Sequence, residues 1–145
     1  MGETLIYICP NCGNNVHLDY GSDFMWYKND ISIFYPHKTK PYEFNIYSCL
    51  SPRIRKEVKD FIENIGEPLA INNVRSQPYK CEKCGKIYSK IYFEIISPKI
   101  GVQTYIPQYY CSCHGVLKKI KPTQKHFYCH KCKTELVKSG EIMWD

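Results

Sequence analysis

Cysteine is the residue type in this chain whose spacing most clearly indicates chemistry. Eight of the nine cysteines form four close pairs: Cys9/Cys12, Cys81/Cys84, Cys111/Cys113 and Cys129/Cys132. Two tetrahedral zinc sites with four thiolate ligands each would need four such pairs. A site of this kind is closed and leaves no position for a substrate. The pattern therefore predicts two structural zinc ions and argues against metal catalysis.

The rest of the composition predicts a cytoplasmic protein without a membrane segment. Residues 1–6 lack the basic segment and apolar run of an export signal. No stretch approaches the ~18 consecutive apolar residues of a membrane helix. In a reducing compartment paired cysteines favour metal binding over disulfides, and an odd total of nine fits a disulfide framework poorly. An iron ion of the rubredoxin type uses the same four thiolates, so an iron electron carrier stays an alternative.

The four pairs can be combined into two sites in three ways. Sequential grouping leaves 68 and 15 residues between the joined pairs, nested grouping 26 and 116, and interleaved grouping 98 and 44. Loop-closure entropy separates the three by only about 1 kcal/mol, which does not decide between them. Sequential grouping is favoured because the first two pairs share the form Cys-x-x-Cys-Gly followed by a strand, and because 15 residues fit one hairpin. It would give one site from Cys9, Cys12, Cys81 and Cys84, and a second from Cys111, Cys113, Cys129 and Cys132.

The C-terminal pairs and the Cys-Gly endings of the first two pairs resemble the knuckles of a zinc ribbon. The resemblance implies a small antiparallel β module with the last four paired cysteines as ligands. One departure is that a ribbon knuckle has two residues between its cysteines, whereas only Ser112 separates Cys111 from Cys113. His114 would restore that spacing and is an alternative ligand to Cys113. The positions of Gly115 and Leu117, which match the strand entry of a ribbon, favour Cys113.

Secondary-structure signals place these knuckles in an α+β fold. Residues 24–35 have the pattern of a hairpin. Ser51 as N-cap, Pro52 at the first helical position and Gly66 at the end delimit an amphipathic helix. We therefore expect two zinc-ribbon β modules: residues 1–98 form a ribbon split by an insertion that contains the hairpin and the helix, and residues 99–145 form a basic ribbon. This architecture also resembles a group of uncharacterised bacterial double zinc-ribbon proteins.

Basic side chains are concentrated in the second half of the chain. Residues 80–145 contain 12 basic and five acidic side chains, a balance of +7, whereas residues 1–79 contain eight and nine, a balance of −1. Lysines interleaved with aromatic residues are typical of nucleic-acid binding, because ammonium groups bind phosphates and rings stack on bases. The alternative is that the lysines form the solvated face of a hairpin. The candidate nucleic-acid-binding residues are Lys118, Lys119, Lys121, Lys125, Lys131 and Lys133.

Aromatic residues in the insertion offer a second kind of surface. Trp26, Tyr27 and Phe34 could anchor a protein partner, although such rings more often pack beneath a helix. The chain has none of the common catalytic motifs, so we expect a binding protein and not an enzyme. The predicted function is a zinc-binding module that binds nucleic acid or a nucleic-acid-processing protein. An adaptor or inhibitor that presents residues 24–65 is the alternative, and the sequence does not indicate an oligomeric state.

Overall fold

The computed structural model describes residues 1–22, 46–66, 69–97, 101 and 104–144. The fold is mixed α/β, with one helix and an antiparallel sheet of six strands in the order β4-β3-β2-β1-β6, while β5 pairs with β3. The bounds are β1 Gly2–Ile8, β2 Asn15–Gly21, α1 Pro52–Ile65, β3 Ala70–Cys81, β4 Ile87–Ile96, β5 Leu117–Lys119 and β6 Val137–Trp144. A short 3-10 helix, Ile46–Cys49, precedes α1. The predicted hairpin at 24–35 lies outside the described residues.

Strands β1 and β2 form a hairpin, and apolar residues alternate with polar ones along β2. Leu18 on β2 lies opposite Leu5 on β1 and is fully buried, while Val16 lies opposite Tyr7 on the same face. These side chains join a core to which Phe127 contributes an edge-on ring contact with Tyr7, with 5.1 Å between ring centroids. The apolar face of the hairpin is therefore covered by residues from the C-terminal part of the chain.

Strand β6 lies at one end of the sheet order. It runs antiparallel to β1 from the Ile8–Val137 pair to the Gly2–Trp144 pair, with a register shift between Ile6 and Tyr7. The free edge of β1 supplies the hydrogen-bonding template that extends it. Trp144 can lie over Gly2 because glycine has no Cβ, which at that position would come within 2.3 Å of the ring.

The predicted hairpin between Cys113 and Cys129 is wrong. The strand that begins at Leu117 does not pair with the segment before Cys129. It pairs instead with β3, where Leu117 lies opposite Cys81 and Lys119 opposite Tyr79. The side-chain amide of Gln77, which is buried, donates to the carbonyls of Pro78 and Ile120 at 3.1 Å each and holds this arrangement together.

The predicted helix is confirmed. It begins at Pro52, its N-cap Ser51 accepts a hydrogen bond from the backbone N–H of Ile54, and it ends before Gly66, whose φ of +73° favours glycine. Ile54 and Val58 form its buried face. Within the described residues, no helix combines the length and apolar character that a bilayer crossing requires.

The chain forms two compact units. The first comprises residues 1–23, 75–91 and 108–145, and the second comprises residues 24–74 and 92–107. Each unit therefore contains residues from both sides of the boundary predicted at residue 98. All eight paired cysteines belong to the first unit and α1 belongs to the second.

Candidate metal centres

Two cysteine quartets lie in the first unit. The outer quartet consists of Cys9, Cys12, Cys129 and Cys132, and the inner quartet consists of Cys81, Cys84, Cys111 and Cys113. In each quartet the four Sγ atoms lie within 4.8 Å of one another. Sulfur atoms of different knuckles approach closely: Cys12–Cys129 at 3.7 Å, Cys81–Cys113 at 3.5 Å and Cys84–Cys111 at 3.5 Å. Each quartet is therefore a site built from two knuckles.

This arrangement is the nested grouping, so the sequential grouping was wrong. The first knuckle combines with the fourth across 116 residues, and the second combines with the third across 26. The physical reason is strand pairing. β6 aligns with β1 and brings the fourth knuckle to the first, while β5 aligns with β3 and brings the third knuckle to the second.

The first and second knuckles have the same backbone geometry. The N–H of Cys9 donates to the Asn14 carbonyl at 2.9 Å, as the N–H of Cys81 does to the Lys86 carbonyl at 2.9 Å. The glycine after each second cysteine donates back to the first, with φ of +74° at Gly13. Only glycine adopts such values without steric cost, which explains the Cys-x-x-Cys-Gly form of both knuckles.

The third and fourth knuckles make the same turn without glycine. His114 follows Cys113 with φ of +67°, and Lys133 follows Cys132 with φ of +60°. The N–H of Cys111 donates to the Gly115 carbonyl at 2.8 Å, and the N–H of Cys129 donates to the Thr134 carbonyl at 2.9 Å. Cys113 completes the inner quartet, while His114 occupies the turn position that glycine has in the first two knuckles.

The two sites are supported by equivalent contacts. Tyr7 and Phe127, each two residues before a cysteine of the outer quartet, meet edge-on at 5.1 Å. Tyr79 and Tyr109 hold the same positions in the inner quartet and meet edge-on at 5.4 Å. The N–H of Leu136 donates to the Phe127 carbonyl as the N–H of Leu117 donates to that of Tyr109. The same arrangement therefore occurs twice. In the sequence, the inner copy (residues 75–120) is inserted between the N-terminal and C-terminal parts of the outer copy.

The sulfur separations suit a single four-coordinate ion in each quartet. Zinc–thiolate bonds of about 2.3 Å in a tetrahedron place the sulfurs about 3.8 Å apart. The separations of 3.5–3.7 Å between knuckles match this spacing. An iron–sulfur cluster would place further atoms between the thiolates and need wider separations. Both quartets therefore fit one tetrahedral ion each.

The pKa values of thiols within one quartet shift in opposite directions. Backbone N–H of Cys113 and the hydroxyl of Tyr88 lower the pKa of Cys111 to about 5. Backbone N–H of Cys132 is the main cause that lowers the pKa of Cys129 to about 6. The pKa of Cys12 rises to about 11, because the hydrogen bond from the Asn14 backbone, which lowers it, is outweighed by the neighbouring cysteines and by desolvation. A quartet can ionise fully only when a cation offsets this repulsion.

The inner quartet has a hydrogen bond to sulfur from a side chain. The hydroxyl of Tyr88 lies 3.1 Å from the Sγ of Cys111, and backbone N–H groups of Lys83 and Cys84 donate to the Sγ of Cys81 at 3.3 and 3.4 Å. Hydrogen bonds of this kind orient metal ligands and stabilise thiolate charge. Nothing in the spacing of the cysteines indicated the part played by Tyr88.

A groove of about 570 Å³ opens beside the inner quartet. Of the six predicted nucleic-acid-binding lysines, Lys118, Lys119 and Lys133 line it. Lys80 and Lys83, which were not among the predicted residues, line it as well. Glu82 is the acidic side chain in the same wall. The Nζ of Lys133 donates to the Cys84 carbonyl at 3.5 Å, which directs this lysine toward the inner site.

A second groove of about 520 Å³ shares Lys119 and Ile120 with the first. Arg75, Lys121 and Tyr20 also line it. The other two predicted residues, Lys125 and Lys131, line neither groove. The predicted partner-binding residues Trp26, Tyr27 and Phe34 lie outside the described residues.

The aromatic residues near the lysines divide into two groups. Tyr109 and Phe127 are buried and pack against the knuckles, whereas Tyr110 and Tyr128 are each 50% exposed. The buried pair belongs to the core and is not available to stack on bases. The exposed pair precedes a cysteine in equivalent positions of the two sites.

Comparisons of this chain with protein-family models, with curated proteins and with solved structures found no match. The similarity to zinc ribbons therefore remains a resemblance, carried by the knuckles and by the two cysteine quartets.

Gly115 leads to a direct test of the inner site. A Cβ at this position would lie 2.4 Å from the Sγ of Cys81 and 3.2 Å from that of Cys113. We expect Gly115→Ala to displace Cys81 and weaken metal binding at the inner quartet by at least about tenfold. Competition with a chromophoric chelator, read together with the metal stoichiometry by native mass spectrometry, measures this change.

Gly13→Ala is the matched control for that substitution. A Cβ on Gly13 meets nothing within 4 Å, and non-glycine residues occupy the corresponding turn position at His114 and Lys133. Both ions should stay bound in this variant, with a loss of stability of about 1–2 kcal/mol because the φ of +74° disfavours alanine. If Gly115→Ala bound metal at both quartets with the affinity of the wild type, the close approach of residue 115 to the Sγ of Cys81 would be contradicted.

Proposed function

We propose that this protein is a non-catalytic zinc-binding module and that the groove beside its inner quartet binds the phosphate backbone of nucleic acid. The basic groove beside the inner quartet is the observation that carries the proposal. The metal ions hold the knuckles that form the groove, and the lysines supply the contacts to phosphate. The closed four-thiolate sites leave the metals no position for a substrate.

The proposal of zinc rests on the donor set and its geometry. Four thiolates at tetrahedral spacing suit Zn²⁺, which has no redox chemistry and a structural role in such sites. Iron in the same ligand set would give an electron carrier of the rubredoxin type. Because the two sites are equivalent in backbone geometry, the same metal is expected in both.

Metal analysis and removal test this part of the proposal. The purified protein should be colourless and contain two zinc ions per chain. A strong chelator should unfold the first unit, because each structural zinc ion contributes roughly 10 kcal/mol or more to folding. Elemental analysis and circular dichroism before and after chelation provide the readouts. Visible absorption from iron, or a spectrum that chelation leaves unchanged, would contradict it.

Anion binding is supported by the charge of the groove. Among the carboxylates that the structure describes, none forms an ion pair with Lys80, Lys83 or Lys118. Lysines that converge without acidic partners repel one another, and an anionic ligand relieves that repulsion. Part of this charge offsets the −2 of a tetrathiolate zinc site. The positive charge of the five groove lysines exceeds the combined negative charge of the zinc site and Glu82, so the surface of the groove remains positive.

The shared wall of the two grooves favours an extended ligand. Lys119 and Ile120 line both grooves, and Arg75 and Lys121 continue the positive charge on the far side of β5. A polymer with regularly spaced phosphates can occupy both, whereas a single phosphate ion would use only one. Tyr20 in the second groove offers a ring against which a base can stack.

Two charge-reversal variants test nucleic-acid binding with equal changes of net charge. Lys83→Glu with Lys118→Glu removes two lysines from the groove, whereas Lys125→Glu with Lys131→Glu removes two that line neither groove. We expect the groove variant to lose at least about tenfold in affinity and the control variant to change little. The slope of log affinity against log salt should fall by about 0.7 to 0.9 for each phosphate that the variant no longer neutralises.

Fluorescence anisotropy with single-stranded and duplex oligonucleotides, over a salt series, measures both quantities. Metal content must be equal in the two variants, since Lys83 and Lys131 each lie within a knuckle. Absent or salt-insensitive binding by the wild-type protein would refute the proposal. Equal losses in the two variants would refute the assignment to the groove.

A further inference from the structure

Strand β6 has an edge that no described strand covers. It ends the sheet order and pairs with β1 on one side, and the structure describes no strand on its other side. The strand is held firmly, because the Nε1 of Trp144 donates to Thr4 Oγ1 at 3.1 Å and its ring lies over Gly2. An ordered edge with unpaired N–H and C=O groups is a template for another strand.

Apolar side chains are exposed along this strand. Val137 is 54% exposed and Ile142 is 53% exposed. They lie opposite Ile8 and Thr4, two positions on the same face of β1, and therefore share that face themselves. Met143 is 64% exposed on the other face. Exposed aliphatic residues along a free edge indicate a surface for association.

A β-bulge places the two charges of β6 on one face. The register shifts between Ile6, opposite Gly140, and Tyr7, opposite Lys138, so Ser139 is left out of the pairing. Lys138 and Glu141 are consequently on the same face, and their side chains form an ion pair at 2.6 Å. Without the extra residue, a spacing of three would put them on opposite faces.

We propose that β6 pairs antiparallel with β6 of a second copy of this chain, about a two-fold axis at Gly140, with the bulged Ser139 of each copy left out of the pairing. In that register Lys138 of each copy lies opposite Glu141 of the other, which gives two ion pairs on one face. Val137 of each copy lies opposite Ile142 of the other, which gives two apolar pairs on the opposite face. A two-fold axis perpendicular to the sheet leaves each side chain on the same face of the sheet in both copies. Residues that lie opposite each other must therefore project from the same face of β6, and both of these pairs do so.

The charges select this register over its neighbours. An axis at Lys138 would place two lysines directly opposite each other, and an axis at Glu141 would place two glutamates opposite each other. An axis at Gly140 puts the smallest residue at the centre and opposite charges on either side. The bulge that brings Lys138 and Glu141 to one face is therefore what makes the strand complementary to itself.

Charge exchange tests the dimer in the metal-loaded, full-length protein. Sedimentation velocity over a concentration series should give a mass of two chains for the wild type. Lys138→Glu alone and Glu141→Lys alone each place like charges opposite each other twice, and should weaken association by at least about tenfold. An equimolar mixture of the two variants restores opposite charges at both places and should again be dimeric.

Lys125→Glu and Glu63→Lys make the same charge changes outside β6, at exposed positions that line neither groove, and should leave the mass of two chains unchanged. Rescue by mixing separates the interface from a loss of folding, since two misfolded variants would not restore each other. A wild type that is monomeric throughout the series would overturn the proposal. Dimers that persist in both single variants, or a mixture that stays monomeric, would overturn it as well.

Discussion

Repulsion between thiolates crowded within 4.8 Å is the constraint on which this structure depends. The backbone N–H of Cys132 lowers the pKa of Cys129 and favours its thiolate, whereas the neighbouring cysteines and desolvation raise the pKa of Cys12, so the sulfurs of one quartet do not all carry charge unaided. A divalent cation at the centre of a quartet would neutralise this repulsion, and its bonds to the four sulfurs would link segments that are far apart in the sequence. An ion in each quartet would link the ends of strands that lie far apart in the sequence.

The nested arrangement makes the N- and C-terminal parts of the chain one structure. The outer quartet joins a hairpin at residues 2–21 to a knuckle more than a hundred residues later, and the pairing of β1 with β6 closes the same loop. The loop-closure entropy of this arrangement exceeds that of the sequential one by only about 1 kcal/mol. Strand pairing and core contacts such as Tyr7 with Phe127 readily outweigh so small a difference.

The helix Pro52–Ile65, capped by Ser51 and Gly66, and the alternation of β2 could be predicted from the sequence, because capping residues and apolar residues at every second position are local signals. The paired cysteines could be identified as well. Their grouping could not, since strand pairing between distant segments leaves no local signal. The first two knuckles share the form Cys-x-x-Cys-Gly, which suggests that they combine in one site. In the structure each of them is instead the first half of a different site, and the two sites are equivalent. The shared aromatic residue two positions before Cys9, Cys81, Cys111 and Cys129 is visible in the sequence and points to the duplication.

The central claim is that each metal ion joins knuckles in the nested order. Substitution of both ions by ¹¹³Cd, followed by proton–cadmium correlation NMR, identifies the cysteines bound to each ion. The account predicts that one cadmium resonance correlates with the β-protons of Cys9, Cys12, Cys129 and Cys132, and the other with those of Cys81, Cys84, Cys111 and Cys113. A single cadmium resonance correlated with both Cys9 and Cys81 would contradict it.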